Sequence, residues 1–183
     1  LSGAVDLNGG TRTLTMSNTN EISGVISNGG LTKAGAGALR LTGASVYSGD
    51  TIISAGALIQ NGTNASSAVT VNGGAFLYGA GQAASLTISG RVSAGSASNT
   101  VGKVKTAALN LQNNGMLEVG FSSMSGAAGT NWDLVEASGN ITVNAADGSD
   151  FVIALRGTPA DFDNSKGWTN TIMTTAGSVS GFA

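Results

Sequence analysis

The chain has 183 residues, of which 10% are charged, with a formal net charge of −2, 29 glycines and a single proline. So little charge beside ample Val, Ile and Leu excludes a disordered chain, and regularly placed aliphatic pairs exclude a flexible glycine linker. Lys103 and Lys105 are the one close cationic pair and no aromatic residue interleaves them, which excludes a nucleic-acid interface.

Two absences narrow the chemistry. Without Cys there is no disulfide and no thiolate metal site, a usage compatible with secretion. Without His the usual general base and the commonest metal ligand are missing, so no enzyme and no cofactor is expected. No apolar run approaches the ~18 residues of a membrane helix, so this segment is not expected to insert in a membrane. The chain begins at Leu1 without Met or a signal peptide and reads as a piece of a longer exported chain.

From the first residues onward one pattern recurs, apolar–polar–apolar. It appears as Val5-Asp6-Leu7, Leu14-Thr15-Met16, Leu39-Arg40-Leu41 and Val69-Thr70-Val71, then as Leu86-Thr87-Ile88, Leu109-Asn110-Leu111, Leu117-Glu118-Val119 and Ile141-Thr142-Val143. Period-two alternation predicts short half-buried strands, with the flanking residues inward and the middle one in water. Asn-Gly pairs punctuate them at Asn8, Asn28, Asn72 and Asn114, which lie 20, 44 and 42 residues apart. Those intervals fit a coil of about 20–22 residues, the last two spanning two coils each. Asn-Gly is also the strongest short hairpin signal, so an antiparallel sandwich or meander stays open as the alternative architecture.

The stretch Gly29 to Gln60 holds three predicted strand runs: Leu31 to Lys33, Ala38 to Thr42, and Thr51 to Ser54 continuing into Ala57 to Gln60. Its residues Gly30-Leu31-Thr32-Lys33, Gly35, Gly37, Leu39, Leu41, Gly43, Tyr47, Gly49, Thr51, Gly56 and Leu58 agree in one register with the pattern GLTKxGxGxLxLxGxxxYxGxTxxxxGxL. In this the stretch resembles the passenger-associated repeat of bacterial autotransporters. The resemblance implies an all-β, right-handed parallel β-helix, exported to the surface of a Gram-negative-type bacterium as a passenger or stalk segment. It also implies Tyr47 as a structural position.

The likeness continues more loosely from Ala65 to Gly120. Ser122 to Gly129 reads as a small-residue loop protruding from the stack, and Gly129 to Asn144 resembles the family's stretch in which an Asp follows a Gly-rich loop. Residues 147–183 diverge, bringing Asp147, Asp150, Asp161 and Asp163 together with Pro159 and Trp168. There Phe151 to Leu155 is predicted to be a buried strand, Asp163 to Gly167 a surface loop, and Trp168 to Thr175 and Ser178 to Ala183 further strands. Residues 1–183 thus read as one β-helix segment, with 29–60 its clearest repeat and 147–183 its divergent last coils.

Few residues point to a site. The middle positions of the strands (Asp6, Thr15, Arg40, Thr70, Thr87, Asn110, Glu118 and Thr142) gather no acidic cluster of the kind paired-carboxylate catalysis on polysaccharides needs. Asp161-Phe162-Asp163-Asn164-Ser165-Lys166-Gly167 alternates oxygen ligands like a calcium loop, but lacks the EF-hand's Gly at the sixth position and its closing Glu. Asp161 and Asp163 are the metal candidates, against the plainer reading of an exposed acidic turn. Trp132 and Trp168, beside turns, are the ligand candidates as a sugar-stacking platform for surface glycans, against a packing role for each. Asn61, Asn64 and Asn140 match the glycosylation acceptor pattern at a rate that chance explains in so Asn- and Thr-rich a chain. Open first and last coils would pair with further strands, so end-to-end self-association is expected.

Overall fold

Short alternations cut by glycine turns cannot propagate a helix, and none forms among the described residues. The computed structural model describes residues 1–95, 100–145 and 149–181, and within them every regular element is a strand. Asp147 and the last two residues of the run 178–183 lie outside the described residues.

The strands fall into three sheets. Val5–Asp6 and Ile26–Ser27 form a two-stranded one. A seven-stranded sheet stacks Asn20–Ile22, Ala38–Leu41, Ala57–Gln60, Phe76–Tyr78, Arg91–Ser93, Met116–Gly120 and Val152–Arg156 in chain order. The ten-stranded sheet runs from Thr11–Thr15 through Gly30–Ala34, Thr51–Ile53, Thr63–Val71 and Gln82–Ile88 to Lys103–Gln112. Beyond it the level splits into Leu134–Ala137 and Ile141–Asn144, covered in turn by Met173–Thr175 and Val179–Ser180. Every strand pairs in parallel with a strand of the next level, which is the parallel β-helix and excludes the antiparallel alternative.

Coil length is less regular than the Asn spacing suggests. Register partners lie 19 to 21 residues apart in the first levels, as Val5 with Ile26 and Leu39 with Leu58. The interval then ranges from 15, for Phe76 with Arg91, to 38, for Val135 with Met173. Asn8 and Asn28, with φ of 55° and 57°, stack at the entry to the ten-stranded sheet, Gly9 N donating to Asn28 O at 2.8 Å. Asn72 and Asn114 instead mark the exit from that sheet, so the 44-residue interval joins two different corners.

The interior is a set of stacked rows, one residue per level. Leu39, Leu58, Leu77, Val92 and Leu117 form one such row, each 5% exposed or less. Leu41, Val69, Val71, Leu109 and Leu111 point inward as the alternation predicts, with Arg40, Thr70 and Asn110 outward and half-buried. Leu41 is 4% exposed in this core. Leu41→Asp would strand a charge there and is expected to cost about 4 kcal/mol, read from circular-dichroism melts. An unchanged melt would show that the inward register is misassigned.

Three expectations are corrected. The run from Thr51 to Gln60 is split between two sheets at Gly56, whose φ of 65° turns the corner. Glu118 is not in water but 5% exposed, because Arg91 and Arg156 from the adjacent levels close over its carboxylate. The strand predicted to be buried at Phe151 to Leu155 spans Val152–Arg156 and is the edge of its sheet, leaving Ile153 and Leu155 42% and 68% exposed.

The glycines of the repeat answer to the stacking distance. A Cβ on Gly35 would lie 2.4 Å from Met16 O, and one on Gly56 2.4 Å from Gly35 O and Gly37 O. Both residues also have φ near +70°, where only glycine is unstrained.

Candidate functional site

The residues that sequence reasoning put forward lie in the C-terminal third, where the structure joins Trp168 to Asp163 but does not gather the four into one site. Trp132 is 7% exposed, stacks on Phe121 with ring centroids 6.3 Å apart and donates from Nε1 to Thr171 O at 2.9 Å. It has no face free for a sugar. Trp168 is half-buried and closes the turn of its own loop, donating from Nε1 to Asp163 O at 2.9 Å.

Each candidate metal carboxylate is taken up by protein groups. Asp161 accepts from Ser123 Oγ at 2.6 Å, Met124 N at 2.8 Å, and Ser125 N and Oγ at 3.1 and 2.8 Å. These contacts, the Ser123 hydroxyl first, hold its carboxyl well below the usual range and pin the 122–129 loop to the last coils. Asp163 accepts from Ser165 Oγ and N at 2.6 and 3.0 Å and pairs with Lys166 at 3.3 Å, and the Ser165 contacts lower its value most. Of the acceptor asparagines, Asn61 and Asn140 are exposed. Asn64 is 3% exposed with neither side-chain polar atom partnered.

Buried polar groups, by contrast, tie the levels to one another. Lys33 shares the parity of Leu31 and so points inward, into a row with Leu14 and Ile53. Fully buried, its Nζ donates to Ala34 O, Gly35 O and Ala55 O at 2.8 to 3.0 Å, and burial pushes the ammonium below its ordinary value. Tyr47, 1% exposed as its structural position implies, begins a chain through Thr51 Oγ1 and Ser67 Oγ to Gly49 O at 2.7 to 2.8 Å per link. Asp133, 2% exposed, accepts from Gly102 N at 2.8 Å, Gly120 N at 2.9 Å and Ser93 Oγ at 3.4 Å.

One concave surface of mixed chemistry lies elsewhere, on the outward face of the seven-stranded sheet. Ala38 and Ala57 are register partners there, and Ala57 is the partner of Phe76. Over the two methyl groups opens a trough of about 440 Å³, rimmed by Ser17, Asn18 and Thr19 and walled by Phe76 and Tyr78. The two rings are 11° from parallel with centroids 5.9 Å apart. That is near the ~6.6 Å rise of two strand residues, so the near-parallel, stacked rings follow one another along the strand.

Arg91, the partner of Phe76 on the far side, places its guanidinium 4.9 Å from the Phe76 centroid and is itself held by Glu118 at 3.1 Å. Ala57, the register partner of Phe76 on the other side, lies toward the trough. Burial, and after it the Glu118 charge, keeps the Tyr78 phenol above its ordinary value and so a neutral donor. Sequence reading missed Phe76. The signal was there in Ala75-Phe76-Leu77-Tyr78, where aromatic residues take the outward positions that polar residues hold in other strands.

Residues 31–59 match the passenger-associated-transport-repeat family, on the segment that the sequence marked as its clearest repeat. In that stretch the chain is similar to the repeats of autotransporter passengers. Among curated proteins none matches the chain.

Proposed function

We propose that the chain is a non-catalytic spacer and scaffold segment of an autotransporter passenger, holding other parts of the protein away from the cell surface. The observation that carries this reading is the unbroken parallel register of the seven-stranded sheet, from Asn20–Ile22 to Val152–Arg156. Seven levels spaced ~4.8 Å make a stack about 29 Å long, whose length depends only on the number of coils. Ile153 and Leu155 extend the inward rows of Leu117 and Val119, yet are 42% and 68% exposed. That surface suits a further coil, supplied by a longer parent chain or by the end of a second copy.

Lengthening the stack tests the reading. Ala38 and Ala57 occupy the same place one level apart, so residues 38–56 are one transferable coil. Four added copies are expected to leave the melt cooperative and to lengthen the particle by about 19 Å in small-angle scattering. Displayed on a cell, the same insertion is expected to lower energy transfer between a dye at the tip and one in the membrane. An unchanged particle length, or an unchanged tip height, would rule out the spacer role.

A further inference from the structure

We propose that the trough over Ala38 and Ala57 is a binding site for a neutral oligosaccharide, with Phe76 and Tyr78 as its stacking wall. A sugar ring has an apolar C–H face and a rim of hydroxyls, and the trough offers both complements. The near-parallel rings of Phe76 and Tyr78 supply the aromatic wall, and the methyl groups of Ala38 and Ala57 make an apolar floor beside it. The floor stays low because two successive levels carry alanine where the third carries Phe76.

The polar side of the site is unengaged. The side chains of Ser17, Asn18 and Thr19 and the Tyr78 hydroxyl make no hydrogen bond to protein groups among the described residues. They are free to donate to and accept from sugar hydroxyls, as polar groups that orient a ligand in a pocket do. No charged side chain lines the trough, which selects a neutral glycan over an acidic one. Arg91 lies over Phe76 from the next level and is paired with Glu118, so it fixes the ring.

A peptide strand fits less well. It would bind by adding to a sheet edge, whereas the strands under the trough already pair with each other. The site is separate from Trp132 and Trp168.

The test uses the whole chain with cellohexaose, xylohexaose, mannohexaose and maltohexaose as probes, followed by methyl and aromatic nuclear magnetic resonance. At least one hexaose is expected to shift the Ala38 and Ala57 methyls and the Phe76 and Tyr78 ring signals saturably at millimolar concentration. Phe76→Ala and Tyr78→Ala are each expected to weaken binding about tenfold. Ala57→Leu, which fills the trough and leaves both rings in place, is expected to abolish binding with the circular-dichroism spectrum unchanged. Trp168→Ala is expected to bind as the unaltered chain does. Silence towards all four sugars overturns the proposal, as does binding that survives Ala57→Leu or that is lost in Trp168→Ala alone.

Discussion

Asp133→Ala is expected to destabilise the chain by about 5 kcal/mol, among the largest losses from a single polar side chain in this fold. Its carboxylate accepts the backbone N–H groups of Gly102 and Gly120 and the Ser93 hydroxyl, with Gly95 N–H as a further donor. Those donors belong to two earlier levels, so one side chain stitches three levels at a corner where no sheet ladder runs. Removing it leaves buried N–H groups unpaired at about 1–3 kcal/mol each. Asp133→Asn keeps one acceptor oxygen and is expected to lose about half as much.

The same residue sets a pH dependence with an unusual sign. Burial pushes the Asp133 carboxyl above the ordinary 3.8, against the pull of its N–H donors. The folded chain therefore binds this proton more tightly than the unfolded one. Its contribution to stability is fully present below 3.8 and is lost as pH rises through the raised folded value. Asp161 and Asp163 are depressed, so their contribution is present above 3.8 and is lost only as pH falls below it. The two windows do not overlap. Between pH 7 and pH 4 the unaltered chain is thus expected to gain melting temperature relative to Asp133→Asn. Melts of the two proteins that change in parallel from pH 7 to pH 4 would contradict this assignment.

Lys33→Ala is expected to cost about 4 kcal/mol by urea unfolding. Two of the carbonyls that Lys33 satisfies, Gly35 O and Ala55 O, receive no other hydrogen bond among the described residues. Their loss of a donor adds to the cavity left by the alkyl stem in the row of Leu14 and Ile53. Lys33→Met fills that row and is expected to lose only about 2 kcal/mol. Burial depresses the Lys33 ammonium, so the unfolded chain holds the proton more tightly and stability rises with pH up to the ordinary 10.5. The Met variant is expected to lack that alkaline gain. A Lys33→Ala loss below about 1 kcal/mol would mean that the corner closes without the ammonium.

What the sequence by itself determined about this protein is its architecture and which side of each strand is inside. Period-two alternation decides the face at Leu39, Leu41, Val69, Val71, Leu109 and Leu111, since successive Cβ atoms leave opposite sides of a strand. The glycines of the repeat were legible for the same local reason, since φ near +70° and a carbonyl 2.4 Å from the missing Cβ admit nothing else at Gly35 and Gly56. The alternation even implies that Lys33 points inward with Leu31, although a lysine ending a strand reads more naturally as exposed.

Only the tertiary structure decided where the polar groups meet. Glu118 carries the outward parity of its strand yet is buried, because Arg91 and Arg156 arrive from levels 27 residues before it and 38 after. Trp132 looked available beside a turn, but the 122–129 loop and the last coils fold around it. The trough needed three levels to be in register before Ala38, Ala57 and Phe76 could share one surface. In a solenoid the inward side of a residue is a property of its own strand, whereas its neighbour above or below depends on how many residues each corner consumes. Here that number varies from coil to coil, so the fold could be read along the chain and the candidate site only across it.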